Sequence, residues 1–235
     1  MRSRGGPVAG LDRIVVVVPA RDEAATVAAC VTSVLVAAQR ATAAVDVLVV
    51  ADRCSDATAE LALAAGARVV PSAAGSVGAA RAAGVAAGLA EEPPGGWSRC
   101  WIACTDADSV VPQEWLQHHA QAAAAGIDLL LGTVQLPGPT ARHAAWRRRY
   151  AAGRDHVHGA NLGVRASVYR AAGGFPPVPA HEDRLLVDRV RTLSGVRVAS
   201  SWAYPVLTSD RTQGRTPAGV AHDLGSGLAG VRDCA

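Results

Sequence analysis

Apolar runs alternating with amphipathic stretches set the plan of the first half of this chain. Ile14-Val15-Val16-Val17-Val18 is an unbroken β-branched run, the pattern of a parallel strand buried on both faces. Pro19-Ala20-Arg21-Asp22-Glu23 ends it, and a helix is predicted from about Ala24 to Gln39, with Asp22 and Glu23 in its first turn. Val45 to Ala51 repeats the strand pattern. The polar turn Asp52-Arg53-Cys54-Ser55-Asp56-Ala57-Thr58 follows, with Asp56 as N-cap of a helix Ala57 to Ala65 that Gly66 stops. Ala67 to Val70 predicts a short third strand, Gly75-Ser76-Val77-Gly78 a loop, and Ala79 to Leu89 a helix carrying Arg81. Beyond the surface connection Glu91 to Gly96, Cys100-Trp101-Ile102-Ala103 predicts a fourth buried strand.

This alternation of strand and helix predicts an α/β fold with a mostly parallel sheet. Ligands in such sheets bind beyond the carboxyl ends of the strands. Four polar stretches converge on that edge: Pro19 to Glu23, Asp52 to Asp56, Gly75 to Arg81 and Asp106 to Ser109. The second half is less regular. It predicts helices over Gln113 to Ala125, Ala166 to Ala172 and Glu182 to Leu193, and strands over Asp128 to Val134 and within Val196 to Tyr204. Residues 209–235, rich in Gly, Ser, Thr and Arg, are expected to be a mobile tail.

The chemistry centres on Cys104-Thr105-Asp106-Ala107-Asp108-Ser109. Two carboxylates one residue apart at a strand's end can both approach one divalent cation, and such oxygen ligands suit Mg²⁺ or Mn²⁺. The alternative is a turn and helix-cap role, since Pro112 follows.

Composition narrows the picture. The 235 residues fit one larger α/β domain, and a chain that is 50% apolar but only 4% aromatic must build its core from Val, Leu, Ile and Ala. A formal charge of +3 does not suggest nucleic-acid binding. No run approaches the roughly 18 apolar residues of a membrane span, and the apolar stretch after the basic N-terminus is too short for a signal sequence. A cytoplasmic protein is expected. The five cysteines, Cys30, Cys54, Cys100, Cys104 and Cys234, match no zinc spacing and are expected to be reduced and structural. Arg142, Arg147, Arg148 and Arg149, with Trp146 and Tyr150, form either a face toward an anionic acceptor, a diphosphate or a membrane surface, or a solvated basic helix.

Six motifs in order carry a resemblance. They are Val17-Val18-Pro19-Ala20-Arg21-Asp22-Glu23, Asp52 to Thr58, Asp106-Ala107-Asp108, Gly159-Ala160-Asn161-Leu162-Gly163-Val164, Gly173-Gly174-Phe175 and His181-Glu182-Asp183. Together the chain resembles a family 2 glycosyltransferase of the GT-A fold over about residues 12 to 208. The resemblance implies a three-layer α/β/α sandwich with a Rossmann-like nucleotide-binding half at about 12–110, an acceptor-binding and catalytic half at 111–208, and a single domain over 1–235. It implies a nucleotide-sugar donor, UDP- or GDP-linked, a hydroxyl acceptor, a divalent metal and inversion at the anomeric carbon.

Carried over residue by residue, the resemblance puts Pro19, Ala20, Glu23, Asp52, Arg81 and Asp106 on the nucleotide-sugar, Asp106 and Asp108 on the metal, and Asp183 as general base with Glu182 beside it. Asn161 either holds the acceptor pocket or only satisfies backbone groups in a buried turn, and His181, with His156 and His158, flanks the acceptor side. The departures are as informative. Ala51, not a second aspartate, precedes Asp52; the Gln-x-x-Arg-Trp signature of processive synthases is absent, which argues for transfer of a single sugar; and Thr208-Ser209-Asp210-Arg211 stands where the family places a metal-binding histidine. A nucleotidyltransferase would need a Gly-rich basic loop after the first strand, and a dehydrogenase or methyltransferase a G-x-G loop there; Pro19 to Glu23 is neither. A nucleotide-sugar-binding protein without catalysis and a retaining GT-A transferase are the remaining alternatives.

Overall fold

The computed structural model describes residues 10–138, 140–152 and 156–212, together with 220 and 224, the side chains of 141, 142, 145, 149 and 152 excepted. The four expected strands of the first half are β1 (Arg13–Ala20), β2 (Ala44–Asp52), β3 (Arg68–Ser72) and β4 (Cys100–Cys104), all mutually parallel. Helices α1 (Val27–Ala38), α2 (Thr58–Ala64) and α3 (Val77–Gly88) connect them. The second half adds β5 (Ser109–Val110), α4 (Trp115–Ala124), β6 (Leu129–Gln135), α5 (Ala141–Ala152), β7 (Leu162–Arg165), α6 (Ala166–Ala171), α7 (Glu182–Arg191) and β8 (Val198–Thr208). One sheet results, ordered β3-β2-β1-β4-β7-β6-β8-β5. Only β7 against its two neighbours, and β5 against β8, run antiparallel.

Strand alternation divides the core into two layers. Ile14, Val16 and Val18 pack beneath Val27, Val31 and Val34 of α1 and Trp115 and Leu116 of α4. Val15 and Val17 face the other way, against Ala80 and Val85 of α3 and Leu186, Val187 and Val190 of α7. Each such side chain contributes about 1.5–3 kcal/mol on full burial, so β1, closed on both faces, anchors the three-layer α/β/α sandwich. Helix α3 lies unusually close to the sheet. A Cβ on Gly84 would fall 2.5 Å from Val17 Cγ1, and one on Gly88 2.3 Å from Val15 Cγ1. Those glycines cost the helix about 1 kcal/mol each relative to alanine, and in exchange Arg81 is delivered against the carboxyl end of the sheet.

Several local expectations shift. Asp22 has φ +49, so the chain leaves β1 through a turn, and Glu23 O accepts from both Thr26 N and Val27 N; no acidic residue falls in the first turn of α1. Ser76 caps α3 by accepting from Ala79 N, which starts that helix earlier than expected. Asp56 stands one residue outside the α2 cap position. Its Oδ1 accepts from Thr58 N and its Oδ2 from Ala24 N, so it joins two loops. The described part of the expected mobile tail is packed, because Leu224 is buried in the core and Val220 lies against it. The rest of that tail lies outside the described residues. Among the described residues no helix is long and apolar enough to cross a membrane.

Candidate active site

The carboxyl ends of β1, β2 and β4 open into a cavity of about 650 Å³, whose far wall is built from α5, the 157–160 segment and the start of α7. Pro19, Ala20, Glu23 and Asp52 line one side, Asp106 and Asp108 the floor after β4, and His181, Glu182 and Asp183 the other side. Nearly every residue expected at the site is thus brought to one cavity. Asn161 is the exception.

The acidic floor is a turn with local causes. Ser109 N donates to Asp106 O, closing a four-residue turn in which aspartate is favoured at the first position. Cys30 Sγ donates to Asp106 O as well, tying the turn to α1. Burial first, then the Asp106 charge, push the Asp108 carboxyl up to about 6; Arg211 pulls it down and Glu23 adds to the rise. Three carboxylates therefore share one negative region. Hard oxygen donors in such a field suit Mg²⁺ or Mn²⁺, so Asp108 and Asp106 fit a divalent cation. A separate group, Asp22, Cys54 and Asp56, has ligand atoms within 4.8 Å of one another. It is engaged in stitching the loops after β1 and β2, since Asp22 Oδ1 accepts from Ser55 N at 2.7 Å.

Arg81 was expected at the nucleotide, and the structure gives its guanidinium two other partners. It is ion-paired with Asp106 at 2.5 Å and with Glu182, at 3% exposure. Burial works against its charge, but Asp106 and Glu182 outweigh it and hold the guanidinium protonated. For Glu182, burial raises the carboxyl and Arg81 opposes the rise. Asp183, next in the first turn of α7, accepts from Gly159 N at 2.8 Å and Arg184 N at 2.7 Å. The two N–H groups fix its carboxylate at the cavity wall. Gly159 has no room for a side chain, because a Cβ would meet the Arg81 guanidinium at 2.3 Å.

Asp52 holds the loop after β3: its carboxylate accepts from Gly75 N and Ser72 Oγ. Asn161 turns away from the cavity. Its Oδ1 accepts from Trp115 Nε1 at 2.9 Å and its Nδ2 donates to Thr133 O at 2.8 Å, beneath a Gly132 that leaves no room for a Cβ. Of its two expected readings the structure gives the second: Asn161 leaves the acceptor side and acts as a bolt between α4, β6 and the β7 entrance, since a buried amide is satisfied by its nearest polar groups.

On the far wall Tyr150 is sandwiched, with Trp146 stacked on it at 4.5 Å and His156 at 4.2 Å. Its hydroxyl accepts from Val134 N. Of the basic cluster, Arg147 donates to Gly138 O at 2.6 Å and Arg148 is exposed; the side chains of Arg142 and Arg149 lie outside the described residues. Burial pushes the Cys30 and Cys104 thiols up to about 12 and Cys100 to about 11, so these are packing groups, not nucleophiles. Cys234 lies outside the described residues.

One residue at the site was not anticipated as part of it. Arg211, beyond β8, is ion-paired with both Glu23 and Asp108. The available signal was its place in Thr208-Ser209-Asp210-Arg211, the run that stands where the family places a metal-binding histidine.

Comparison with known proteins agrees with this fold. A mycobacterial protein of known structure is 21% identical, with 84% of this chain and 65% of that chain covered and a TM-score of 0.57. S. aureus TarS 1–349 in complex with UDP-GlcNAc is 14% identical over 90% of this chain and 69% of that one, at a TM-score of 0.65. Glucosyl-3-phosphoglycerate synthase from Mycobacterium tuberculosis, in complex with Mn²⁺, UDP and phosphoglyceric acid, is 22% identical over 85% and 72%, at 0.59. The chain spans 65% to 72% of the length of these three, and 41% of the longer TarS chain. At such identities the likeness shows the GT-A fold. No curated protein gives a significant match. The family model described as glycosyl transferase family 2 matches residues 15–202. The chain belongs to glycosyl transferase family 2.

Proposed function

We propose that this protein transfers a single sugar from a nucleotide-diphosphate sugar, UDP- or GDP-linked, to an acceptor hydroxyl with inversion at the anomeric carbon. One observation carries the reading: Asp106 and Asp108 at the end of β4 and Asp183 at the start of α7 line one cavity, with Arg81 bridging Asp106 to Glu182 beside Asp183. Within a single domain, residues 12–110 would hold the nucleotide-sugar and 111–208 the acceptor, with Pro19, Ala20, Glu23 and Asp52 on the nucleoside side and His181 on the acceptor side.

Asp108 and Asp106 would hold a divalent cation, which when bound supplies Lewis-acid neutralisation of the leaving diphosphate. Asp183 accepts the acceptor's proton as the new bond forms, because a carboxylate is too weak a base to remove it beforehand. The acceptor oxygen bonds to the anomeric carbon, the bond from that carbon to the phosphate oxygen breaks, and its electron pair leaves with the diphosphate. The walls hold donor and acceptor in line, which avoids the entropy cost of a bimolecular encounter. Arg81, already committed to Asp106 and Glu182, positions the acidic turn against the α7 entrance.

Calorimetric titration with UDP and GDP, each with and without Mn²⁺, on wild type and Asp108→Ala tests this reading. Metal-dependent binding of one nucleotide, lost in the variant, is expected. A folded wild-type protein that binds neither nucleotide under either condition overturns it.

A further inference from the structure

The chain that leaves β8 is held across the site by successive side chains. Thr208 pairs with Ser109 in the β5–β8 ladder, and their hydroxyls meet at 3.1 Å. Asp210 Oδ2 lies 3.2 Å from Nε2 of the buried His143 on α5. Arg211 then reaches into the cavity: Nη1 donates to Glu23 Oε1 at 2.8 Å, and Nη2 lies 3.0 Å from Asp108 Oδ2. Because Ser109 directly follows Asp108, the ladder fixes the exit of β8 beside that carboxylate. The position of Arg211 is a consequence of sheet pairing. Its side chain lines the cavity and remains 33% exposed while paired with both carboxylates.

A guanidinium in this place has two classes of partner. In the free protein it neutralises Glu23 and Asp108. A bound diphosphate offers oxygens that match the planar fork of an arginine equally well. A divalent cation held by Asp108 would compete with Arg211 for that carboxylate.

We propose that Arg211 is a donor-binding residue that exchanges partners: it neutralises Asp108 and Glu23 in the free protein, cedes Asp108 to the divalent cation, and donates to the diphosphate of the bound nucleotide. This rests on the donor-site reading above. It makes Arg211 a competitor of the metal before the donor binds and an ally of the donor afterwards, so its removal has effects of opposite sign on the two ligands.

The experiment is calorimetry and Mn²⁺ electron paramagnetic resonance on wild type, Arg211→Ala and Arg211→Lys, with thermal unfolding as a check on folding. Mn²⁺ alone is titrated first, and then UDP or GDP, whichever binds wild type, at saturating Mn²⁺. In Arg211→Ala, Mn²⁺ binding to the free protein tightens about tenfold, and nucleotide binding weakens about tenfold, the scale of one charge-assisted hydrogen bond. Arg211→Lys, which keeps the charge but loses the fork, lies between the two. Unchanged or weaker Mn²⁺ binding in folded Arg211→Ala overturns the exchange, as does unchanged nucleotide binding. In either case a wild type that binds nucleotide leaves the donor site standing. A wild type that binds no nucleotide removes the donor site and the exchange with it.

Discussion

Arg81 of α3 and Glu182 at the start of α7 form an ion pair that is buried on both sides, with side-chain exposures of 3% and 5%. The pair joins the helix that packs on β1 to the helix that carries Asp183, and Asp106 completes it from the floor of the cavity. Taking charges out of water is repaid only while all partners are present. Arg81→Ala leaves Glu182 and Asp106 facing each other, and a loss of about 3–5 kcal/mol is expected in urea unfolding. The double variant Arg81→Met, Glu182→Leu removes both buried charges and recovers part of that loss. Recovery of none would mean that shape, not charge, governs this contact.

Asp183→Asn keeps the size of the side chain and can still accept from Gly159 N but not also from Arg184 N, so a stability loss of about 1 kcal/mol and a nucleotide affinity near wild type are expected. Turnover with a competent donor and acceptor falls by about 10²–10⁴, the usual contribution of a general base. Equal losses in nucleotide affinity and turnover would place Asp183 on the donor, not the acceptor.

Asp108 illustrates the tension between stability and binding. Its folded-state pKa is raised, from 3.8 to about 6, with burial the largest cause. The folded protein therefore holds the proton more tightly than the unfolded chain does. Stability on this account is highest below pH 3.8 and falls as pH rises toward 6, after which the cost of the ionised group is constant. At neutral pH Asp108→Asn removes a cost of up to about 2–3 kcal/mol, the pull of Arg211 already included. A higher melting temperature together with lost metal-dependent nucleotide binding is expected. A lower melting temperature would show that Asp108 is structural.

His119 gives a pH dependence of the opposite sign. Burial drives its imidazole down to about 3, and its Nδ1 accepts from Trp101 Nε1 at 3.1 Å. The unfolded chain takes up a proton near pH 6.5, whereas the folded protein does not until about 3. Stability is thus fully present above 6.5 and declines below it, by about 1.4 kcal/mol per pH unit. His119→Gln keeps an acceptor for Trp101 and removes the titration. Its melting temperature is expected to vary less between pH 7 and pH 5 than that of wild type, and an unchanged slope would assign the acid sensitivity to other groups.

The sequence by itself determined β1 to β4, the polar runs after them and the cavity edge to which they lead. Val15 to Val18 can satisfy their β-branched side chains only in a strand closed on both faces, and the polar runs after β1, β2 and β4 follow from where those strands must stop. These are short-range consequences of side-chain shape and backbone hydrogen bonding, which is why Asp52, Asp106 and Asp108 fall at one sheet edge from the pattern alone, whereas Asp183 is implied there only by the family resemblance.

The tertiary structure alone decided which partner each polar side chain takes. Arg81 is buried between Asp106 and Glu182 because α3 is seated on the sheet through Gly84 and Gly88. Asn161 points inward because Trp115 and the Thr133 carbonyl reach it first. Arg211 enters the site because a two-residue strand, too short to announce itself by any period, pairs Ser109 with Thr208. A side chain's partner depends on residues far away in the chain, and burial makes the nearest complementary group the only affordable one. No local pattern of apolar and polar positions carries that information.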